Sequence, residues 1–365
     1  MKRIKIYGAG SIGNHLAYAA RNLGYEVVVC DLNSAALDRM KNDIYPSRYK
    51  AWDDSIQLCL NDDAPTGGFD VIHIGTPPTA HIPLALSALA ENPKAILIEK
   101  PLCTPDLAGA QELWEKSNAS DTRVFVGYDH AVGKAARKVE ELLSSLGEIQ
   151  ALDVEFREHW AGIFAAHPWL NGPEDTYLGF WKKGGGASGE HSHAIHLWLH
   201  FASLIGAGKV TEVDAMLDYK TMGTAEYDSL CAMHVRTENG FSGRVIQDVL
   251  TLPTRKWGKI QGKERALEWH ANYNPQGDAV LQSGLGEETQ ITLLPKTRPE
   301  DFIAELQHIE ACLAGGAKSP LDLEIGLDAM MIVTASHISE QQKQRVHIDY
   351  SKGYTPEAFD AWLRA

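Results

Sequence analysis

The sequence predicts two linked domains: a doubly wound α/β domain built on a parallel sheet, then a larger strand-rich domain. Three observations carry this. Strand-like and helix-like stretches alternate through the first third of the chain. A glycine-rich turn sits where the first strand meets the first helix. Farther on, β-patterned runs dominate until two helices close the chain. The boundary is expected near residue 124, giving domains at 1–124 and 125–365.

In order, RIKIYGAG reads as a buried strand ending in glycines, and SIGNHLAYAARNLG as a helix stopped at Gly24. YEVVVCD is a second β-branched run, and FDVIHIGTPP a strand broken by Thr76-Pro77-Pro78. HIPLALSALAEN reads as helix, AILIEKP as strand, DLAGAQELWEKS as helix and TRVFVGY as strand. EIQALDVEFREH alternates as a half-buried strand does. Strand-like runs follow at 209–218, 229–237, 241–249, 256–261 and 265–270, and helices return at about 299–314 and 322–342.

Composition narrows the function. With 365 residues, 44% of them hydrophobic, the chain can build two sizeable cores. A net charge of −14 argues against a nucleic-acid binder, which shows a basic face. The five cysteines are scattered, with no CxxC pair, and suggest reduced thiols in the cytoplasm. No signal-peptide pattern and no membrane-length apolar run is expected to direct the chain to a membrane.

The first strand–helix turn is Gly8-Ala9-Gly10-Ser11-Ile12-Gly13, a GxGxxG. Gly8 permits the tight turn and Gly10 lets the backbone approach a pyrophosphate. Gly13 permits close packing of helix on strand. Ser11 and Ile12 open the helix whose N-terminus faces the phosphates. Asp31 lies 18 positions beyond Gly13, at the end of the second strand. A carboxylate there accepts hydrogen bonds from the adenosine ribose and repels a 2′-phosphate, so NAD is favoured over NADP. The structural alternative is that Asp31 caps the helix beginning near Ser34.

Glu99-Lys100-Pro101 ends the strand that would border the nicotinamide. After a GxGxxG domain and the segment TPPTAH, this tripeptide resembles the Gfo/Idh/MocA oxidoreductases, the family of glucose–fructose oxidoreductase and inositol dehydrogenase. VGYDH (126–130), KKGGGASGEHSHAIHLWLHFASLIG (182–206) and SPLDLEIGLDAMMIVTASHIS (319–339) extend the similarity over nearly the whole chain. The resemblance implies an N-terminal Rossmann domain and a second domain on a large, open, mostly antiparallel sheet with helices on one face. It implies a homodimer or homotetramer, with another subunit over the sheet's outer face. It implies NAD as cofactor, with Thr76, Pro77, His81, Glu99 and Lys100 lining its cleft.

By the same resemblance, Lys100 assists proton transfer and His193 is the catalytic histidine. Glu190 and His196 stand where acidic residues are usual in the family, and are expected to orient that pair or bind substrate. Read as one helix, 190, 193 and 196 share a face, with His191 pointing elsewhere and His200 in the core. No metal is expected, because His193 and His196 are spaced i, i+3 and no coordinating cysteine lies near.

The connecting segment 156–183 is rich in aromatic and basic residues. Arg157, Trp160, Trp181 and Lys183 are expected to bind substrate alongside Lys100, His193 and His196. Rings stack on sugar faces, and the basic groups suit a carboxylate or phosphate. The expected activity is NAD-dependent oxidation of a secondary hydroxyl in a sugar, sugar derivative or cyclitol, including acidic ones, or the reverse reduction. Two alternatives stand beside it: a redox-neutral glycosidase or epimerase with retained NAD, and a non-catalytic NAD-sensing regulator.

Overall fold

The computed structural model describes residues 2–363. Its first sheet has six parallel strands: β1 (Arg3–Tyr7), β2 (Glu26–Asp31), β3 (Gln57–Leu60), β4 (Val71–Ile74), β5 (Ala95–Ile98) and β6 (Arg123–Val126). Their order, β3-β2-β1-β4-β5-β6, reverses between β1 and β4, the switch point of a Rossmann fold. The central strands are buried on both faces, which is why they read as continuous Val/Ile runs. The helices are α1 (Ser11–Asn22), α2 (Ser34–Arg39), α3 (Tyr45–Tyr49), α4 (His81–Leu89) and α5 (Ala110–Asn118). The expected strands and helices are present. β3, a short and partly exposed edge strand reading QLCL, carries too little apolar pattern to be read from sequence.

The second half contains α6 (Lys134–Leu142), β7 (Ile149–Arg157), α7 (Trp160–Ala165), α8 (Gly186–Glu190) and α9 (His193–Leu204). Strands β8 (Val210–Met222), β9 (Ala225–Thr237), β10 (Ser242–Asp248), β11 (Arg255–Gly262), β12 (Arg265–Asn274), β13 (Gly277–Gly284) and β14 (Gln290–Pro295) follow. Then come α10 (Arg298–Gly315), α11 (Leu323–Gln342) and β15 (Val346–His347). Nine strands form one sheet in the order β14-β13-β12-β11-β7-β10-β9-β8-β15. Every pairing is antiparallel except β10 with β7. Leu152, Val154 and Phe156 point alternately from β7 into the core, where α9 packs on that strand. α10 returns to lie against α1, with Phe302 stacked on His15 at 4.8 Å. That contact closes one side of a cleft between the two sheets.

Candidate functional site

The cleft encloses about 1050 Å³ and is walled by both halves of the chain. Its floor on the Rossmann side is the start of α1, at Ser11 and Ile12, and the preceding turn, Asp31, Thr76 and Pro77 do not line it. Gly8 has φ 105°, and a Cβ there would lie 2.5 Å from the Gly75 carbonyl oxygen. A Cβ on Gly13 would lie 2.0 Å from the Gly8 oxygen, so only glycine lets α1 sit this close to β1. A Cβ on Gly10 would meet nothing within 4 Å, so the backbone is open to close approach there. This is the cradle a pyrophosphate needs, at the N-terminus of a 12-residue helix. Ser11 and Ile12 line the cleft at that point.

Asp31 is oriented by two backbone donors, with Oδ2 2.8 Å from Ala9 N and Oδ1 2.9 Å from Asn33 N. The α2 N-cap is Asn33, whose side chain accepts from Ala35 N, so Asp31 is not that cap. The Thr76 Oγ1 is buried without a partner, and Pro77 is exposed. His81 is fully buried, its Nδ1 3.0 Å from the Pro101 carbonyl oxygen and its Nε2 2.6 Å from that of Thr76. It ties the loop after β4 to the segment after β5 and does not line the cleft. Glu99 does line it, with Oε1 3.2 Å from His73 Nε2.

Lys100 follows β5, at the carboxyl end of the sheet, and joins Pro101 through a cis peptide bond. Its Nζ donates to the Glu190 carbonyl at 2.8 Å and to Glu190 Oε2 at 2.9 Å. Burial raises the Glu190 pKa, but the Lys100 ammonium and neighbouring histidines outweigh it, so the carboxyl is held below its usual range. The Glu190 carboxylate therefore stays charged at neutral pH.

The histidine segment is not the single helix its spacing suggested. α8 ends at Glu190, His191 leaves helical geometry at φ −97°, ψ 23°, and α9 begins at His193. The break gives each residue its own direction. His191, expected to point away, is buried and lines the cleft. His193 also lines it, with Nδ1 buried, unpartnered and 3.9 Å from Asp129 Oδ1. His196 turns from the cleft. It stacks on Tyr128 at 4.1 Å, and its Nε2 lies 2.7 Å from the Pro320 carbonyl oxygen. His200 is buried against Phe201. Desolvation first, then the charges of His130, Lys100 and Lys256, push the His193 pKa well below 6.5. Its imidazole is neutral at physiological pH and able to accept a proton.

Of the substrate residues expected from segment 156–183, none reaches the cleft wall. Arg157 Nε donates to Asp248 Oδ2 at 2.6 Å. Trp160 packs on Phe164 and Tyr227 in a small apolar cluster. Trp181 is buried and stacks on His337 at 4.6 Å. Lys183 Nζ lies 4.1 Å from the Phe180 ring centroid. The same segment instead presents Gly162, Ile163 and residues 165–169, including His167 and Trp169. The α7 turn explains this, since it rotates Trp160 onto β9 and carries the following residues over the groove. Arg48 secures them, donating to Ser11 O and Oγ at 2.9 Å each and to Ala166 O at 3.2 Å.

Sequence reasoning passed over Asp129, His130, Lys256, Lys296, Arg298 and Glu305, all of which line the cleft. Asp129 and His130 lay in the quoted VGYDH, so their side-chain chemistry was the available signal. One ligand atom each from Asp129, His130 and His193 lie within 4.8 Å of one another, a spacing that could hold a metal ion. The cations facing the two imidazoles (Lys100, Lys256, Lys296 and Arg298) oppose a further positive charge there.

Fold and groove define the class: a Rossmann domain joined to a sheet-based second domain, with a cleft between them. Residues 2–128 match the GFO_IDH_MocA model, described as an oxidoreductase family with an NAD-binding Rossmann fold. No curated protein sequence matches the chain. Among solved structures, it resembles an Agrobacterium radiobacter oxidoreductase in complex with NAD+, L-tartaric acid and magnesium. That likeness has TM-score 0.75 and 18% identity, covering 95% of this chain and 98% of the other. Levoglucosan dehydrogenase in complex with NADH and levoglucosan gives TM-score 0.74 at 17% identity, covering 95% and 99%. The Bordetella pertussis WlbA dehydrogenase in complex with NADH and UDP-GlcNAcA gives 0.68 at 19%, also covering 95% and 99%. At these identities the likeness is one of fold. Among the described residues, no helix is long and apolar enough to cross a membrane.

Proposed function

We propose that the protein is an NAD-dependent dehydrogenase acting on a secondary hydroxyl of a sugar, sugar derivative or cyclitol. The observation that carries this is the convergence of the Lys100–Glu190 pair and the neutral His193 on the cleft that begins at the start of α1. Bound NAD supplies the hydride acceptor. The Lys100 ammonium, fixed by two bonds to Glu190, donates to the reacting hydroxyl oxygen and stabilises negative charge developing on it. His193 accepts the hydroxyl proton, with Asp129 placed to orient the ring. Glu190 positions Lys100, and His196 acts only by holding α9 against Tyr128 and Pro320.

Polyhydroxylated substrates suit a cleft lined by charged and imidazole groups, with the half-buried Trp169 among its rings. The neighbours whose structures hold levoglucosan or a nucleotide-linked acidic sugar support that class. Lys256 and Arg298 are the groups placed to meet a carboxylate. Incubation with NAD and a panel of sugars, uronic acids and cyclitols, followed by absorbance of reduced nicotinamide, tests the reading. A panel without turnover would sink it. One observation favours the redox-neutral alternative: Arg48 straps residues 165–169 across the groove, an arrangement that retains a cofactor. Product formation without accumulating NADH would select it. Exposed Met216, Ile291 and Leu293 on the second sheet support self-association as a homodimer or homotetramer, which light scattering would measure.

A further inference from the structure

Glu305 is a buried group in the cleft that this mechanism leaves unused. It sits in the middle of α10 and is 0% exposed, yet neither of its carboxylate oxygens has a hydrogen-bond partner among the described residues. Burying such a group without partners costs the fold stability, and an apolar side chain of the same shape would avoid that cost. A residue kept under those terms marks a place where something else completes the bonding.

Its position says what. α10 turns Arg298, Asp301, Phe302 and Glu305 toward the cleft at i, i+3, i+4 and i+7 spacing. Glu305 shares that wall with Ser11 and Ile12, where the pyrophosphate cradle lies, and with Glu99 and Gly127, just past β5 and β6. In a doubly wound sheet a dinucleotide lies across the switch point. With the adenosine half on the Asp31 side, the β4–β6 side receives the nicotinamide half.

We propose that Glu305 is the hydrogen-bond partner of the nicotinamide carboxamide when NAD is bound. This rests on the NAD-binding reading of the groove. The chemistry matches in both directions. A carboxamide presents one carbonyl acceptor and an N–H donor in one plane, and a carboxylic acid presents the complementary pair. Glu305 is held in that neutral form. Burial raises its pKa, the carboxylates of Glu99, Asp129 and Asp301 facing it raise it further, and only Arg298 opposes them. An uncharged partner also fixes the ring without favouring its oxidised, cationic form.

The test compares NADH with ADP-ribose, which lacks the nicotinamide, by calorimetric or tryptophan-fluorescence titration of the whole protein. Glu305→Met should weaken NADH about tenfold or more and leave ADP-ribose within about twofold. It should also raise the melting temperature of the ligand-free protein, because a buried carboxylic acid without hydrogen-bond partners is gone. Glu305→Gln, which keeps a donor and an acceptor, should retain NADH affinity within about threefold. Independently of any variant, the wild-type protein should bind the 3-acetylpyridine analogue, which has no amide N–H, more weakly than NAD. Equal loss for NADH and ADP-ribose, or no loss for NADH, overturns the assignment. If the wild-type protein binds neither ligand, the NAD reading of the groove fails, and the role of Glu305 falls with it.

Discussion

The glycine turn at 8–13 and the histidine segment at 189–200 form facing parts of one cleft, and they encode it differently. In the turn, the backbone does the work. Gly8 and Gly13 are needed for reasons local to the turn, a positive φ and a close packing distance, while Gly10 leaves the backbone open to approach. In the histidine segment, side chains do the work, and their directions depend on a break between α8 and α9 and on what packs around it. Four histidines within ten positions thus take three different roles. A backbone motif survives translation from sequence to structure almost intact, whereas a side-chain cluster is sorted by tertiary context.

The largest effects should fall where the histidine segment meets the Rossmann strand end. Lys100→Met removes the ammonium that Glu190 holds, and should lower kcat/KM by about three orders of magnitude or more. His193→Ala should cost on the order of 10²- to 10⁴-fold, with NADH affinity retained. The His193 pKa is lowered by burial, so its basic form persists below 6.5. The acid limb of the kcat/KM profile should accordingly lie below pH 6.5, and its appearance above 7 would assign the proton to another group. Wild-type rates in either variant would break the contrast between the two regions.

His196→Ala probes the other side of the same helix. It loses the stack on Tyr128 and the contact with Pro320, so it should destabilise the fold by about 1–3 kcal/mol. Turnover of the folded fraction should stay within a few-fold of wild type. A deep loss of turnover without loss of stability would return His196 to the chemistry. This contrast also measures what was legible. The parallel sheet and the glycine turn could be read because periodicity and glycine placement encode them, whereas Lys100 and His193 were singled out by the family resemblance. His196 and Trp181 could not be placed, because period alone does not say whether an aromatic or imidazole ring meets solvent or another ring. Glu305 was invisible for a different reason: in FIAELQHIE it looks like an ordinary helix carboxylate until α10 is seen lying on α1.

On the glycine-turn side, Asp31→Ser should weaken NAD binding by about tenfold, the value of a charge-assisted hydrogen bond, and narrow the preference over NADP. Because Asp31 Oδ2 also accepts from Ala9 N, some of the loss should appear as a lower melting temperature. Unchanged affinity for both cofactors would show that this carboxylate serves the turn alone.

The last effect, on stability rather than turnover, concerns what holds the histidine segment in place. Asp228 is buried beneath α8, where Oδ2 accepts from Ser188 N at 2.7 Å while Oδ1 has no partner. Gly186, at φ 76°, leaves room for it, since a Cβ there would collide with Oδ1. Burial pushes the Asp228 pKa up to about 7, from 3.8 in the unfolded chain. A carboxyl group with a raised folded-state pKa stabilises the fold as the neutral acid. That contribution is complete below about pH 4 and is lost as pH rises toward 7, by on the order of a few kcal/mol. Asp228→Asn keeps the acceptor for Ser188 N and removes the titration. Its melting temperature should therefore exceed that of wild type at pH 8, and the two should converge near pH 4. The opposite ordering would mean that the charged carboxylate, rather than the neutral acid, is what the α8 N-terminus has been built around.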